Sequence, residues 1–275
     1  MYSSFGNPKL VGTFFDNDIH TQSYAHIIHK HSSQLELLYV SAGHGRYQVG
    51  HREYAVSEGD LLICNNETLH GQPPMQKIFL QTHCIALTDV QLAGLPANQL
   101  IASSQPPLVT FEGTNRRTMH FMMHTIHEKY HEETPDLPLC HSLAMSILLL
   151  TWNALQARQD SDSFRNEQKK EMLVRQIGDY LDRNYREPIN LQQISDDLHL
   201  SVSHISHLYK NKTGLSPMQF VLYRRLGEAQ TLLAETDLPI GEIEEELGFG
   251  SSSHLSIMFK KYIGISPSEY RKRFR

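Results

Sequence analysis

The chain has 275 residues, long enough for two domains that each bury a core. Its hydrophobic content of 40%, with no apolar run near the ~18 residues a span needs, reads as a protein with no membrane partner. Residues 1–25 lack a basic stretch followed by an apolar one, so no signal peptide is expected. The net charge is −5, and residues 171–275 balance 13 Lys+Arg against 14 Asp+Glu, which excludes a broadly basic nucleic-acid binder. Any nucleic-acid contact must come from local clusters such as Lys260–Lys261 and the tail Arg271, Lys272, Arg273, Arg275. Cys64, Cys84 and Cys140 form an odd set without C-x-x-C spacing, as expected of reduced thiols in a cytoplasmic protein.

Residues 35–87 read as strands. LELLYV, RYQV, EYAV, DLLIC and IFLQTHCIAL are separated by turn signals at Ala42–Gly45, Gly50–Arg52, Ser57–Gly59 and Asn65–Asn66. Short strands at this spacing predict an antiparallel barrel or sandwich. Overlapping the first of them is His-x-His-x4-Glu-x6-Gly, formed by His29, His31, Glu36 and Gly43, and then Gly59 is followed by His70. The spacing resembles the two motifs of cupins, with the second eroded: Asn65 stands where cupins have Pro, and Glu67 where they have Gly. Alternate strand residues share a face, so His29 and His31 look into the barrel together. Glu36 and His70 would complete a three-imidazole, one-carboxylate set suited to Zn, Fe, Mn or Ni. The same groups would equally hydrogen-bond a polyol or carboxylate effector without metal, or serve only as satisfied polar groups at a barrel mouth. Tyr39, Arg46 and Tyr47 are secondary candidates for the effector pocket.

Residues 115–157 switch to helical periodicity. Met119, Met122, Met123, Ile126 and Tyr130 mark one face, and Leu143, Ile147, Leu150 and Ala154 mark another on a helix apolar enough to need covering by the barrel or by a second subunit. His120, His124, His127 and His131 form a stripe beside the first face. Two of them could hold a divalent metal, though a solvated stripe or a subunit contact is the plainer reading. Residues 157–170 are polar and patternless, and are read as a linker between a domain at 1–156 and a domain at 171–275.

The C-terminal domain contains a duplication. SHISHLYKNKTGLSP (203–217) and SHLSIMFKKYIGISP (253–267) align without a gap at an offset of 50, with seven of 15 positions identical. Each copy follows a short amphipathic segment. Ser201 and Ser251 are placed to cap the next helix, Gly214 and Gly264 to end it, and Ser-Pro to start another. The pattern predicts two helix-turn-helix units, 191–212 and 240–262, joined by a helix over Pro217–Glu235. At 19 residues that helix is about 28 Å long, against the roughly 34 Å between successive major-groove faces.

IGEIEEELGFGSSSHLSIMFKKYIGISPSEYRKR resembles the signature of the AraC family of bacterial transcription regulators, through Ile243, Leu247, Gly248, Phe249, Phe259, Lys260, Lys261, Gly264, Pro267, Tyr270 and Arg271. The resemblance implies an α+β protein, with a cupin-like N-terminal antiparallel β-barrel, accessory helices, and an all-α C-terminal domain. It also implies a promoter-DNA-binding homodimer, most often an activator, that works with RNA polymerase and answers to a small-molecule effector. A sugar suits the polar set of the barrel, and no cofactor is required. The base-reading positions fall on Ser203, Ser206 and His207 in the first unit and on Ser253, His254 and Ile257 in the second; Lys210, Lys260 and Lys261 fall on phosphates. Glu244 departs from the family, which has a small residue there, and with Glu242, Glu245 and Glu246 it makes that helix strongly acidic beside the expected phosphates. Two other readings stay open. A cupin enzyme would rest on the His29, His31, Glu36, His70 set, and a protein-interaction module on the near-neutral charge of residues 171–275.

Overall fold

The protein is described by a computed structural model covering residues 5–17, 27–72, 79–157, 168–250 and 253–274. Its first half is one seven-stranded antiparallel sheet built from β1 (Gly6–Asn17), β2 (Leu35–Val49), β3 (Arg52–Ser57), β4 (Asp60–Cys64), β5 (His70–Gly71), β6 (Phe79–Val90) and β7 (Leu108–Thr110). The order is β1-β6-β2-β4-β7, with β3 and β5 also pairing β2. The long β2 therefore borders four strands. One set of its side chains (Leu38, Val40, Tyr47, Val49) packs with Leu62, Cys64 and Cys84, while Leu35, Leu37 and Tyr39 pack with Ile85 and Leu87 under two helices. Each fully buried Leu or Ile contributes roughly 1.5–3 kcal/mol, so both faces are anchored.

The covering helices are α1 (Gly113–Tyr130) and α2 (Leu137–Gln156). Met119, Met122, Met123 and Ile126 of α1 are buried as the periodicity requires, and Tyr130 is half-buried. On α2 the buried face is Cys140, Ala144, Ile147, Leu148, Thr151 and Leu155, so of the four residues the sequence marked only Ile147 lies at its centre. Leu143, Leu150 and Ala154 flank it, because a helix apolar on most sides carries little phase information. With a mean hydropathy of 1.3, α2 is also long and apolar enough to cross a membrane by length and composition, contrary to the run-length reading. In this fold it packs on α1 and the sheet. All three cysteines are free and buried. Strands β1 and β7 were missed by the sequence reading. The first contains Gly6, Pro8 and Gly12, which break a strand pattern, yet β6 supplies it with a long antiparallel partner.

The second half is helical: α3 (Gln168–Asn184), α4 (Leu191–Leu198), α5 (Val202–Thr213), α6 (Pro217–Glu235), α7 (Ile240–Glu246), α8 (His254–Ile263) and α9 (Pro267–Phe274). Ser201 caps α5 by accepting the His204 N–H at 3.2 Å, and Gly214 (φ 77°) and Gly264 (φ 97°) end α5 and α8 in the left-handed region. Ser216 and Gln219 form a capping box at α6. The second unit departs from the repeat: Ser251 lies outside the described residues, and α8 starts only at His254, with Ser253 at the cap position making no side-chain cap bond. The two units share one core through α6. Arg225 fastens them, donating to the carbonyls of Tyr185 at 2.5 Å and Glu187 at 2.8 Å before α4, and of Gly248 at 2.7 Å in the second turn.

The halves are in direct contact. Ile27, Ile28 and Leu69 from the sheet half are buried in the core of the helical half. The Ile27 N–H donates to Gln230 Oε1 at 3.1 Å, and α6 lies so close that a β-carbon on Gly227 would stand 2.2 Å from the Ile28 carbonyl oxygen.

Candidate functional site

Two sites take shape, one on the sheet half and one on the helical half. The first is the histidine–glutamate set. His29 and His70 form an isolated antiparallel bridge, and the ligating atoms of His29, His31 and His70 lie within 4.8 Å of one another. Glu36, buried on β2, spans two of them, with Oε1 3.1 Å from His31 Nε2 and Oε2 3.0 Å from His70 Nε2. Gln34 Nε2 donates to Oε1 at 2.8 Å. The Nδ1 of His29 faces the Ile27 carbonyl at 3.0 Å and that of His70 the Thr68 carbonyl at 2.9 Å, which fixes both rings and presents Nε2 inward. Burial works against the Glu36 carboxylate, but its bonds to His31 and His70 and their charge outweigh it, holding it well below the ordinary carboxylate range. Burial likewise opposes the His31 imidazolium, and Glu36 overrides it, so His31 is raised.

These residues fit a divalent metal. His70 faces an acceptor from each ring nitrogen, and a neutral ring has one proton for the two contacts. Either ring protonation or a cation shared with Glu36 satisfies the second. Three imidazoles and a carboxylate are the donor set of borderline transition metals.

Tyr39 and Arg46 are not brought to this cluster. Tyr39 is three residues from Glu36 on the same strand and so faces the other way, under α1, where its hydroxyl donates to the Arg116 carbonyl at 3.4 Å. Arg46 lies beyond a register irregularity between Val40 and Ala42, is exposed, and pairs with Glu53 at 2.5 Å. Tyr47 does face inward, buried near Cys64, Cys84 and Glu36. The sequence reading missed Cys84, whose Sγ lies 3.6 Å from Glu36 Oε2; the β2–β6 register that sets it opposite Leu38 leaves no local signal in the sequence.

The second site is the outer surface of α5 and α8. Ser203, His207, Lys210, Ser253, His254, Ile257, Lys260 and Lys261 are all exposed there, and Ser206 is half-buried. His204 is exposed as well. The 50-residue offset that selects His254 selects it too, and the sequence reading passed over it. The acidic α7 does not present all its charge. Glu244 is buried, Glu246 pairs with Arg186 at 2.8 Å, and Glu242 and Glu245 remain exposed. Arg224 on α6 is also internal, bonding Asp182 at 2.9 Å and Glu228 at 2.7 Å over the Tyr185 ring. Lys30, next to His29 and His31, joins the same Asp182 at 2.8 Å. Burial opposes the Asp182 carboxylate, and these two cations lower it nonetheless.

Comparisons with known proteins agree with this division. A cupin domain model matches residues 19–72, and a helix-turn-helix domain model of AraC type matches residues 194–273. The HTH-type transcriptional regulator YdiP of Escherichia coli K12 is 28% identical over 278 residues, covering 98% of this chain and 87% of its own. The HTH-type transcriptional activator RhaS of Yersinia pestis is 28% identical over 147 residues, 54% of this chain and 51% of its own. Among solved structures, a probable AraC family transcriptional regulator from Rhodopseudomonas palustris is 28% identical, covering 37% of this chain and 96% of that one at a TM-score of 0.34. With a cupin domain followed by a helix-turn-helix domain, and relatives along its length that are HTH-type transcriptional regulators, the chain is similar to DNA-binding transcription regulators and resembles the AraC family.

Proposed function

We propose that this regulator senses what occupies the His29–His31–Glu36–His70 cluster and passes that state to its DNA-binding helices through the segments that carry the histidines. The observation behind this reading is the contact between the halves. Ile27 and Ile28 immediately precede His29, and Leu69 immediately precedes His70; all three are buried in the helical core, Ile27 and Ile28 against α6. A ligand that pulls His29 and His70 together acts on the backbone that packs on α6. It shifts the balance between two arrangements by its differential affinity for them. The occupant is a divalent metal held by His29, His31, His70 and Glu36, supplying a positive centre, or a small hydroxyl-rich effector such as a sugar held by the same groups.

On the DNA side, Ser203, Ser206, His207, Ser253, His254 and Ile257 read bases and Lys210, Lys260 and Lys261 hold phosphates. Ile257, 58% exposed, is a large apolar side chain on a recognition face, which suits contact with a thymine methyl. The chain acts in the cytoplasm as a promoter-bound homodimer, paired through the helices of 115–157. It works as an activator alongside RNA polymerase, and it is not an enzyme.

The test is sequencing of the genomic DNA retained by the purified full-length protein, with and without added Zn2+ or chelator. A few promoters carrying paired half-sites, with a yield that changes on metal addition, are expected. Retention no better than random DNA would overturn the regulator reading. Promoter retention indifferent to metal and to a panel of sugars would overturn the sensing role of the cluster.

A further inference from the structure

A second gathering of imidazoles lies outside the cupin cluster. His120, His124 and His127 line one stripe of α1, continued by His131 at its C-cap, and the fold sets His83 of β6 against it. The His83 ring centroid is 5.9 Å from that of His124 and 5.9 Å from that of His127. His127 is in turn 4.8 Å from His131, and His120 is 6.4 Å from His124. Phe15 of β1 closes one side, 4.6 Å from the His83 ring and 5.5 Å from the His127 ring.

This cluster is not explained as packing. His83 is only 4% exposed, yet its Nδ1 has no hydrogen-bond partner, and neither does the buried Nδ1 of His127. Buried ring nitrogens are normally paired, and two orphans on facing rings are costly. The carboxylate beside the stripe, Glu128, sits 3.4 Å from His124 Nδ1 and gives neither orphan a hydrogen bond. A mostly imidazole wall with unpaired nitrogens is the donor set of Zn2+, Ni2+ or Cu2+ and not of Mg2+ or Ca2+. Two imidazoles on one tetrahedral ion, with metal–nitrogen bonds of ~2.0–2.1 Å, hold their centroids about 5 Å apart. The His83 pairs are already near that spacing. Among the described residues, only His29, His31 and His70 have ligating atoms drawn fully together, so this second set is gathered but open. His124 is exposed and His127 half-buried, which leaves their side-chain torsions room to close it.

We propose that His83, His124 and His127 form a second binding site, for a divalent transition-metal ion, that clamps α1 onto β6. The site is independent of the cupin cluster. The experiment removes each in turn from the full-length chain and counts Zn2+ retained after equilibrium dialysis, with Co2+ absorption as a second readout. His124→Gln/His127→Gln changes residues that are not fully buried, and should lose one equivalent relative to the parent. In a His29→Gln/His31→Gln/His70→Gln background one equivalent should remain, and should disappear when the His124/His127 pair is added. His83→Gln should abolish the same equivalent while the protein keeps its helical circular dichroism. Should that variant not fold, the His124/His127 pair decides alone. Unchanged stoichiometry in the pair variant would overturn the site, as would loss of the equivalent on His120→Gln/His131→Gln with the pair intact.

Discussion

The buried carboxylate of Glu244 accepts the backbone N–H of Leu255 at 3.1 Å, across the second helix-turn-helix turn. Leu255 is the second residue of α8, whose own cap residue, Ser253, contributes no side-chain bond. A carboxylate from a neighbouring helix therefore does what Ser201 does locally for α5, and its charge lies at the positive end of the α8 dipole. Glu244→Ala should lower stability by about 1–3 kcal/mol and weaken binding to the half-site read by α8 more than to the one read by α5. Glu244→Gln should recover most of the stability. Urea unfolding with binding to separated half-sites checks this, and an unaffected α8 half-site would contradict it.

Gly227 gives opposite expectations in the whole chain and in its helical part. In the interior of α6, Gly227→Ala favours the helix by up to about 1 kcal/mol. In the full chain the new β-carbon would meet backbone, the Ile28 carbonyl, 2.2 Å away. The substitution should stabilise a fragment spanning 168–275. In the full-length protein it should speed amide exchange at Ile27 and Ile28 and abolish any response of DNA binding to metal or effector, with DNA binding itself retained.

The residues proposed to contact DNA should separate by kind. Ser206→Ala with His207→Ala should relax sequence preference while leaving nonspecific affinity nearly unchanged. Lys210→Ala should weaken binding to all sequences alike and reduce the salt dependence by about one counterion. Competition and salt titrations distinguish them; equal loss on every sequence from the Ser206/His207 pair would remove those two as readers.

Acid should attack the α1–β6 contact before it attacks the carboxylates. Burial, followed by the neighbouring His127, His124 and His120, pushes His83 down to about 3, and His127 is lowered as well. An unfolded histidine titrates near its ordinary 6.5, so below that pH the unfolded chain binds protons that the folded cluster refuses. Stability should therefore fall as pH drops from about 6.5 toward the folded value of His83. The groups facing His83 are those imidazoles and, through His124, Glu128. Glu36 and Asp182 are lowered, so their contributions are complete above the ordinary carboxylate range and fade only below it. His31, which is raised, contributes fully below 6.5 and loses its contribution as pH rises through its folded value. In chelator-treated protein, His83→Gln should flatten the melting temperature between about pH 6.5 and 4.5. The same slope in parent and variant would place the acid sensitivity elsewhere.

Local patterns in the sequence located what is local in the structure. The 50-residue offset, the Ser-Pro starts and the glycine ends of α5 and α8 are short-range features, and the fold has them where the sequence puts them. His29, His31, Glu36 and His70 are brought together as the motif spacing suggests, but not by strand alternation: His29 and His31 precede β2, and His29 is held to His70 by an isolated bridge. Tyr39 was grouped with them by nearness along the chain, though its parity on β2 turns it away. Pairings across the chain were invisible: His83 meets α1 some forty residues later, Ile27 reaches Gln230, and Glu244 turns inward to serve a helix that only the tertiary fold brings near. The Gly- and Pro-interrupted β1 forms a strand only because β6 is there to pair it.

Arg225 ties the end of α3, the approach to α4 and the second turn to one helix, so the two recognition helices behave as a single rigid caliper. A caliper does not adjust to what it grips. Any mismatch between its span and the roughly 34 Å groove repeat has to be taken up by curvature of the duplex. The base pairs between the half-sites should then acquire a preference of their own through how easily they bend. Promoters differing only in that spacer should be ranked by their stiffness.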